Sequence, residues 1–322
     1  MILFRLPTPE SAHGGAGHAY AARMATCLTQ LGYDAAITER PAAPGDVEII
    51  DGLRIPGTTP GTAGTSIALL HHAASRPWSG HADTETALRE RLPQMCGVIC
   101  SSAATAGAVW DTYAIRASVV APGHDHRPVA AINTASVTAS AAGAVTLLSA
   151  GVLTPRKGHA LLLDALAPLS DLDWTLTIAG HSGRDLAYEQ ALHARAAAPE
   201  LERRVRIVRD PEGPVLDALY DRTSLAVLLT RWEGYPAAAA EAIGRGIALV
   251  TTAAGLAGLP EGAGLAVEAD DLATLSKALR RVIHDGALRT SLAQSSLCAG
   301  RALPSWPTQA ALFVLAVKQA LT

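Results

Sequence analysis

Lysine is almost missing from this chain. Of 322 residues only Lys157, Lys277 and Lys318 carry an ammonium side chain; arginine supplies the remaining positive charge, and the formal net charge is −3. That balance offers no bulk attraction to nucleic acid. The first 125 residues contain eight arginines, no lysine and an excess of acids, so no polybasic patch for a membrane surface is expected. Aromatic residues make up 4% of the chain and apolar residues 49%, which predicts cores built from Leu, Val, Ile and Ala. The four cysteines, Cys27, Cys96, Cys100 and Cys298, fit neither a disulfide framework nor a C-x2-C zinc pattern. Cys96 and Cys100 flank an apolar Gly-Val-Ile run and read as buried thiols, in keeping with a reducing compartment. No stretch approaches the roughly 20 apolar residues of a membrane-spanning helix, and Met1 to Leu6 reads as a strand interrupted by Arg5 rather than a leader. A cytoplasmic protein is therefore expected, with homo-oligomerisation left open.

What is present is alternation. The length admits two domains, and short apolar runs alternate with amphipathic segments through both halves. In the first half the strands are expected at Ile2 to Leu6, Ala35 to Thr38, Val47 to Ile50, Ile67 to Leu70, Gly97 to Cys100 and Ala117 to Ala121, with helices at His18 to Leu31, Asp83 to Met95 and Ala103 to Tyr113. The uncharged small-residue stretch from Pro128 to Gly143 reads as a linker. Strands resume at Ala144 to Ala150, Leu176 to Ala179, Val205 to Val208, Leu225 to Leu229, Ala248 to Thr251 and Gly264 to Val267. Domains are accordingly expected at 1–127 and 144–305, joined by 128–143, with a helix over about 306–322 returning to the first.

Two segments carry chemistry. Thr230 to Pro236, with Glu233-Gly234-Tyr235 inside it, leads into four alanines, Glu241 and a buried strand. This places two carboxylates eight positions apart, one on a loop and one a turn into a helix whose N-terminal N–H groups attract anions. Carboxylates repel phosphate but accept hydrogen bonds from sugar hydroxyls, so the parts suit a molecule carrying both. The alternative is two acids near a helix start that stabilise its dipole. Upstream, Gly151 to His159 follows a strand and precedes a helical pattern, with Arg156 and Lys157 side by side. A planar guanidinium fork beside a mobile ammonium makes a sensible diphosphate cradle; a solvated loop is the dull counterpart.

The Glu-x7-Glu arrangement with Glu-Gly-Tyr at its head, and the Thr-Pro-Arg-Lys-Gly loop about eighty residues before it, resemble the donor site of the family 4 retaining glycosyltransferases. Other parts of the same enzymes are resembled by His13-Gly14-Gly15 before the first helix, by Pro122-Gly123-His124-Asp125 at the end of the first half, and by Leu303-Pro-Ser-Trp306 before the last helix. The resemblance implies the α/β fold called GT-B, two Rossmann-like doubly wound parallel-sheet domains facing each other across a cleft. It also implies transfer of a hexosyl group from a nucleoside diphosphate sugar to a hydroxyl acceptor, without cofactor or essential metal. Arg156 and Lys157 would neutralise the diphosphate, Glu241 would hold the ribose, and Glu233 would face the donor sugar beside the N–H groups of Gly234 and Tyr235. His71 and His72, at a strand's carboxyl end, would touch the sugar or the β-phosphate, and Gly15 would let a ligand approach the first helix. The chain departs from the family pattern at Val152, where an arginine is usual, at Pro236, where a glycine is usual, and at Ala248, where a proline is usual.

Other readings remain on the sequence. Gly15-Ala16-Gly17 with Glu39 downstream is similar to the start of a dinucleotide fingerprint, but Tyr20 replaces its third glycine. Asp51, His71 and Asp125 leave a GT-B epimerase or hydrolase open, and Pro236 with the short first half leaves a catalytically silent nucleotide-sugar binding module. Asp171-Leu-Asp173 precedes a strand and so belongs at the wrong edge of the sheet to hold a metal beside the cradle.

Overall fold

The computed structural model describes residues 1–6, 16–39, 42–57, 65–72, 82–126, 144–182, 185–211 and 213–322. The linker expected between Pro128 and Gly143, and the segment His13-Gly14-Gly15, lie outside the described residues. The chain divides into two compact units, Met1–His124 with Pro304–Thr322, and Asp125–Leu303.

The first unit is built on six parallel strands, β1 (Ile2–Arg5), β2 (Ala35–Ile37), β3 (Val47–Asp51), β4 (Ser66–Leu70), β5 (Gly97–Cys100) and β6 (Ser118–Val119). Their order is β2-β1-β3-β4-β5-β6, so the direction of winding reverses between β1 and β3, where doubly wound sheets bind ligands. Helices α1 (Ala16–Gln30), α2 (Ala82–Arg91) and α3 (Ala103–Tyr113) connect them. The helix expected to reach Met95 ends at Arg91 and gives way to a 3-10 turn over Leu92–Gln94, because Pro93 lacks the N–H that an α-helical interior needs. The expected strand from Ala117 to Ala121 narrows to two residues at the sheet edge. Cys100 is buried in β5, and burial pushes its thiol up to about 12. Cys96 is exposed, correcting the expectation of a buried thiol: it precedes the strand, on the loop at the sheet's amino edge.

The second unit holds β7 (Val145–Ala150), β8 (Trp174–Gly180), β9 (Val205–Arg209), β10 (Leu225–Leu228), β11 (Ala248–Thr251) and β12 (Leu265–Ala266), all parallel. The order β12-β11-β10-β7-β8-β9 is the double winding of a dinucleotide-type fold, reversing between β7 and β10. Alternation along the strands explains the two-sided core. Leu147, Leu176, Ile178, Leu225, Val227 and Val250 face one cluster, whereas Leu148, Ala150, Ala179, Ala226, Leu228 and Leu249 face the other, as successive Cβ atoms of a strand must. The flanking helices are α4 (His159–Leu166), α5 (Leu186–Ala196), α6 (Pro214–Asp221), α7 (Ala237–Gly244), α8 (Ala253–Leu256), α9 (Leu272–His284) and α10 (Gly286–Arg301). In α9 the buried residues Leu275, Leu279, Val282 and Ile283 recur at helical spacing, and the Asp271 carboxylate accepts from the Ala273 N–H at its start. Gly300 lets α10 come close to α7: a Cβ there would lie 2.2 Å from the Ile243 carbonyl oxygen.

The last helix, α11 (Trp306–Ala320), belongs to the first unit. Trp306, Phe313 and Val317 share a core cluster with Phe4, Tyr20 and Met24, and the Phe4 and Phe313 rings are 5.6 Å apart. No helix among the described residues is long and apolar enough to cross a membrane.

Candidate functional site

β7 and β10 flank the reversal point of the second sheet, and the loops leaving their carboxyl ends carry the residues that matter. After β7, Gly151 to Thr154 turns into a 3-10 turn, Pro155–Lys157, closed by Gly158 in the left-handed region at φ 70°. After β10, Leu229 to Pro236 leads into α7. The two loops are stitched together by main chain, with the Arg231 N–H donating to the Arg156 carbonyl oxygen at 2.9 Å. Gly158 packs so closely that a Cβ there would lie 2.2 Å from the Leu229 carbonyl oxygen.

This stitching brings Arg156, Lys157 and Glu233 into one cluster. An Nη1–H of Arg156 donates to Glu233 Oε2 at 2.9 Å and to the Trp232 carbonyl oxygen at 2.9 Å, and the guanidinium stacks 4.5 Å from the centroid of the Trp232 ring. The Lys157 ammonium donates to the other Glu233 oxygen. The Glu233 side chain is 10% exposed. Burial by itself would raise its pKa, but Lys157 and Arg156, with a hydrogen bond from Thr230, hold the carboxyl below the usual glutamate value. Burial, aided by the Arg156 charge, draws the Lys157 ammonium below the ordinary lysine value against the pull of Glu233. Beside the carboxylate a small crevice is lined by Ala150, Thr230, Pro236, Ala238 and Gly255.

His159, which the sequence places two positions after Lys157 without assigning it a task, lies within reach of the Lys157 and Arg156 charges. It is fully buried, with Nδ1 3.0 Å from Ser149 Oγ, while the carbonyls of Gly151 and Val152 face the ring. Burial and the Lys157 charge lower its pKa to about 4. The imidazole is thus neutral in the folded chain at pH 7, whereas it titrates near 6.5 when unfolded. Below about 6.5 the unfolded chain binds a proton that the folded one rejects, so stability falls with falling pH until about 4. His159→Gln is expected to remove about 3 kcal/mol of this acid-dependent loss. Denaturant melts of both proteins between pH 7 and 4 test this; parallel curves would refute it.

Glu241 is placed differently. It lies in α7, 44% exposed, and accepts from Arg245 Nε at 2.5 Å. Arg245 also holds Asp217 and Asp221, so this carboxylate stands at the edge of a four-residue ionic network rather than in the cluster of Glu233. Gly234 and Tyr235 sit in the loop between β10 and α7. Pro236 precedes that helix, so its start carries no side-chain cap. Asp171 pairs with Arg280 before β8, at the sheet edge away from the cradle. Among the described residues no group of three or more His, Cys, Asp or Glu could hold a metal ion.

The histidine pair belongs to the first unit. His71 follows β4, with Nε2 3.6 Å from Asp51 Oδ2 and its ring edge-on to Tyr20 at 5.1 Å. Burial, with a contribution from His72, lowers His71 to about 3, and burial raises Asp51 to about 6 against a hydrogen bond from the Leu53 N–H. Gly17 makes room for this pair, since a Cβ there would lie 2.9 Å from His71 Cδ2. Tyr20, in place of the third fingerprint glycine, is buried in the core of this unit and donates to the Val120 carbonyl oxygen at 3.0 Å. His72 is half-buried beside it, and Gly15 lies outside the described residues.

The profile of the glycosyl transferases group 1 matches residues 134–296. The lipopolysaccharide core biosynthesis mannosyltransferase of Rhizobium meliloti (strain 1021) is 30% identical over 143 residues, a stretch spanning 42% of this chain and only 40% of that relative. Among solved structures, sucrose-phosphate synthase from Thermosynechococcus elongatus superposes with a TM-score of 0.79 at 16% identity, covering 99% of this chain and 98% of that one. The Anabaena protein HepE, solved in complex with UDP and glucose, gives 0.73 at 16% identity over 98% of this chain and 99% of that one. At such identities these structures establish the shared GT-B fold alone.

Proposed function

This chain belongs to the glycosyl transferases group 1, and from that membership we propose that it is a retaining glycosyltransferase moving a hexosyl group from a nucleoside diphosphate sugar to a hydroxyl acceptor without an essential metal. The observation that carries the reading is the convergence of Arg156 and Lys157 on one buried carboxylate at the reversal point of the second sheet. Two cations held there neutralise the diphosphate as its bond to the sugar breaks, the place where negative charge grows in the transition state. Glu233 and the N–H groups of Gly234 and Tyr235 address the donor sugar. Glu241 addresses the ribose, for which it must share its carboxylate with Arg245. The neutral His71, with His72, offers hydrogen bonds to sugar hydroxyls rather than charge to phosphate.

The solved HepE complex with UDP and glucose supports a nucleotide-sugar donor, and the mannosyltransferase relative supports a hexose. Thermal melts with UDP, GDP, ADP and dTDP test the donor class. A ligand that binds only the folded chain at a hundredfold excess over Kd adds about 2.7 kcal/mol, so one of the four is expected to raise the midpoint clearly; no response to any would sink the reading. Transfer from the matching sugar nucleotide is expected to continue in EDTA, and rescue by Mg²⁺ or Mn²⁺ after its loss would refute the metal-free assignment. The buried Asp51 beside His71 favours one rival, a hydrolase or epimerase of the same fold, which release of free sugar in the absence of acceptor would reveal.

A further inference from the structure

The cations of the cradle are already occupied. Lys157 and Arg156 each hold one oxygen of Glu233, and all three side chains are largely buried. A diphosphate entering the cradle competes with the carboxylate for these cations, and the two anions repel one another at that range. We propose that Glu233 is an intramolecular stand-in for the diphosphate, an ionic latch that closes the cradle when it is empty and must swing aside when a nucleoside diphosphate sugar enters. The inference rests on the cradle reading above and adds to it a competition between the chain's own carboxylate and the ligand.

A carboxylate moved away from its cations in a buried site needs hydrogen-bond donors, since an uncompensated buried charge is costly. The hydroxyls of an intact donor sugar supply them; a nucleoside diphosphate without sugar does not. The latch therefore favours the intact donor over the spent nucleotide. Once the sugar has left, re-pairing of Glu233 with Arg156 and Lys157 opposes the remaining diphosphate and hastens its departure.

Inorganic pyrophosphate tests the competition without any assumption about base or sugar. By isothermal titration on the full chain at pH 7, Glu233→Gln, which keeps the shape and removes the charge, is expected to bind pyrophosphate about tenfold more tightly than wild type, a change of about 1.4 kcal/mol. Glu233→Asp keeps the charge but is one methylene too short to span both cations. It is expected to show an intermediate gain, and it carries the test if the glutamine variant fails to fold. Lys157→Ala is expected to weaken pyrophosphate binding in either background. Equal or weaker pyrophosphate binding by both Glu233 variants, with wild-type binding still sensitive to Lys157→Ala, would overturn the latch while leaving the cradle intact. Failure of wild type and both Glu233 variants to bind pyrophosphate would overturn the cradle reading and the latch together.

Discussion

Replacing Lys157 by Ala is expected to weaken nucleoside diphosphate binding about 10- to 150-fold, the equivalent of the roughly 1.5–3 kcal/mol carried by a hydrogen bond to a charged group. Binding of the corresponding nucleoside, which lacks the phosphates, is expected to change little. The reason is geometric: Lys157 is held at the end of a 3-10 turn, and its only strong partner among the described residues is a carboxylate that a diphosphate can replace. The same substitution leaves Glu233 with Arg156 as its one cation, and breaking part of a buried ion pair costs about 1–3 kcal/mol of folding stability. Lys277→Ala, an exposed lysine on α9, is the control and is expected to alter neither quantity. Titration calorimetry with nucleotide and nucleoside decides the matter: equal losses for both ligands would show that Lys157 acts through the fold rather than on phosphate.

Gly158→Ala is expected to cost the fold roughly 3–5 kcal/mol and to abolish nucleotide binding with it. Two penalties coincide at this position. Its φ of 70° is one that a side chain resists, and the added Cβ would stand 2.2 Å from the Leu229 carbonyl oxygen, backbone that cannot turn away as a side chain can. Relief requires the cradle loop to move off the loop that carries Glu233, separating Arg156 and Lys157 from their partner. Gly107→Ala makes a contrast. Gly107 lies exposed within α3, and nothing stands within 4 Å of the added Cβ; the change is expected to stabilise by about 0.4–1 kcal/mol. A Gly158→Ala protein with the melting point and nucleotide affinity of wild type would show that the two loops are not packed as described.

The strands, their parallel pairing in two sheets and the place of each cradle residue at a strand's carboxyl end were legible in the sequence. Apolar runs of strand length, alternating with amphipathic helices, leave a chain few other ways to bury its apolar surface. The adjacency of Arg156 and Lys157 was equally a matter of sequence, because neighbours on one turn need no tertiary contact to share a loop. Edge strands were overestimated: β6 and β12 sit at the sheet margins, where one side lacks a partner and local apolar pattern overstates pairing. The burial of Cys96 was misjudged because it stands one residue outside β5, beyond the cover of the helices.

Only the tertiary structure decided who pairs with whom. Glu233 lies seventy-six residues after Lys157, and the two meet because β7 and β10 become neighbours when the winding of the sheet reverses. The separation of Glu233 from Glu241 was decided in the same way. Eight positions apart in sequence, one is drawn to the cradle across the sheet, and the other to Arg245 one helical turn away, close to the acids of α6. Sequence spacing cannot distinguish these outcomes, because a carboxylate's partner is set by which cation the packed backbone brings within reach.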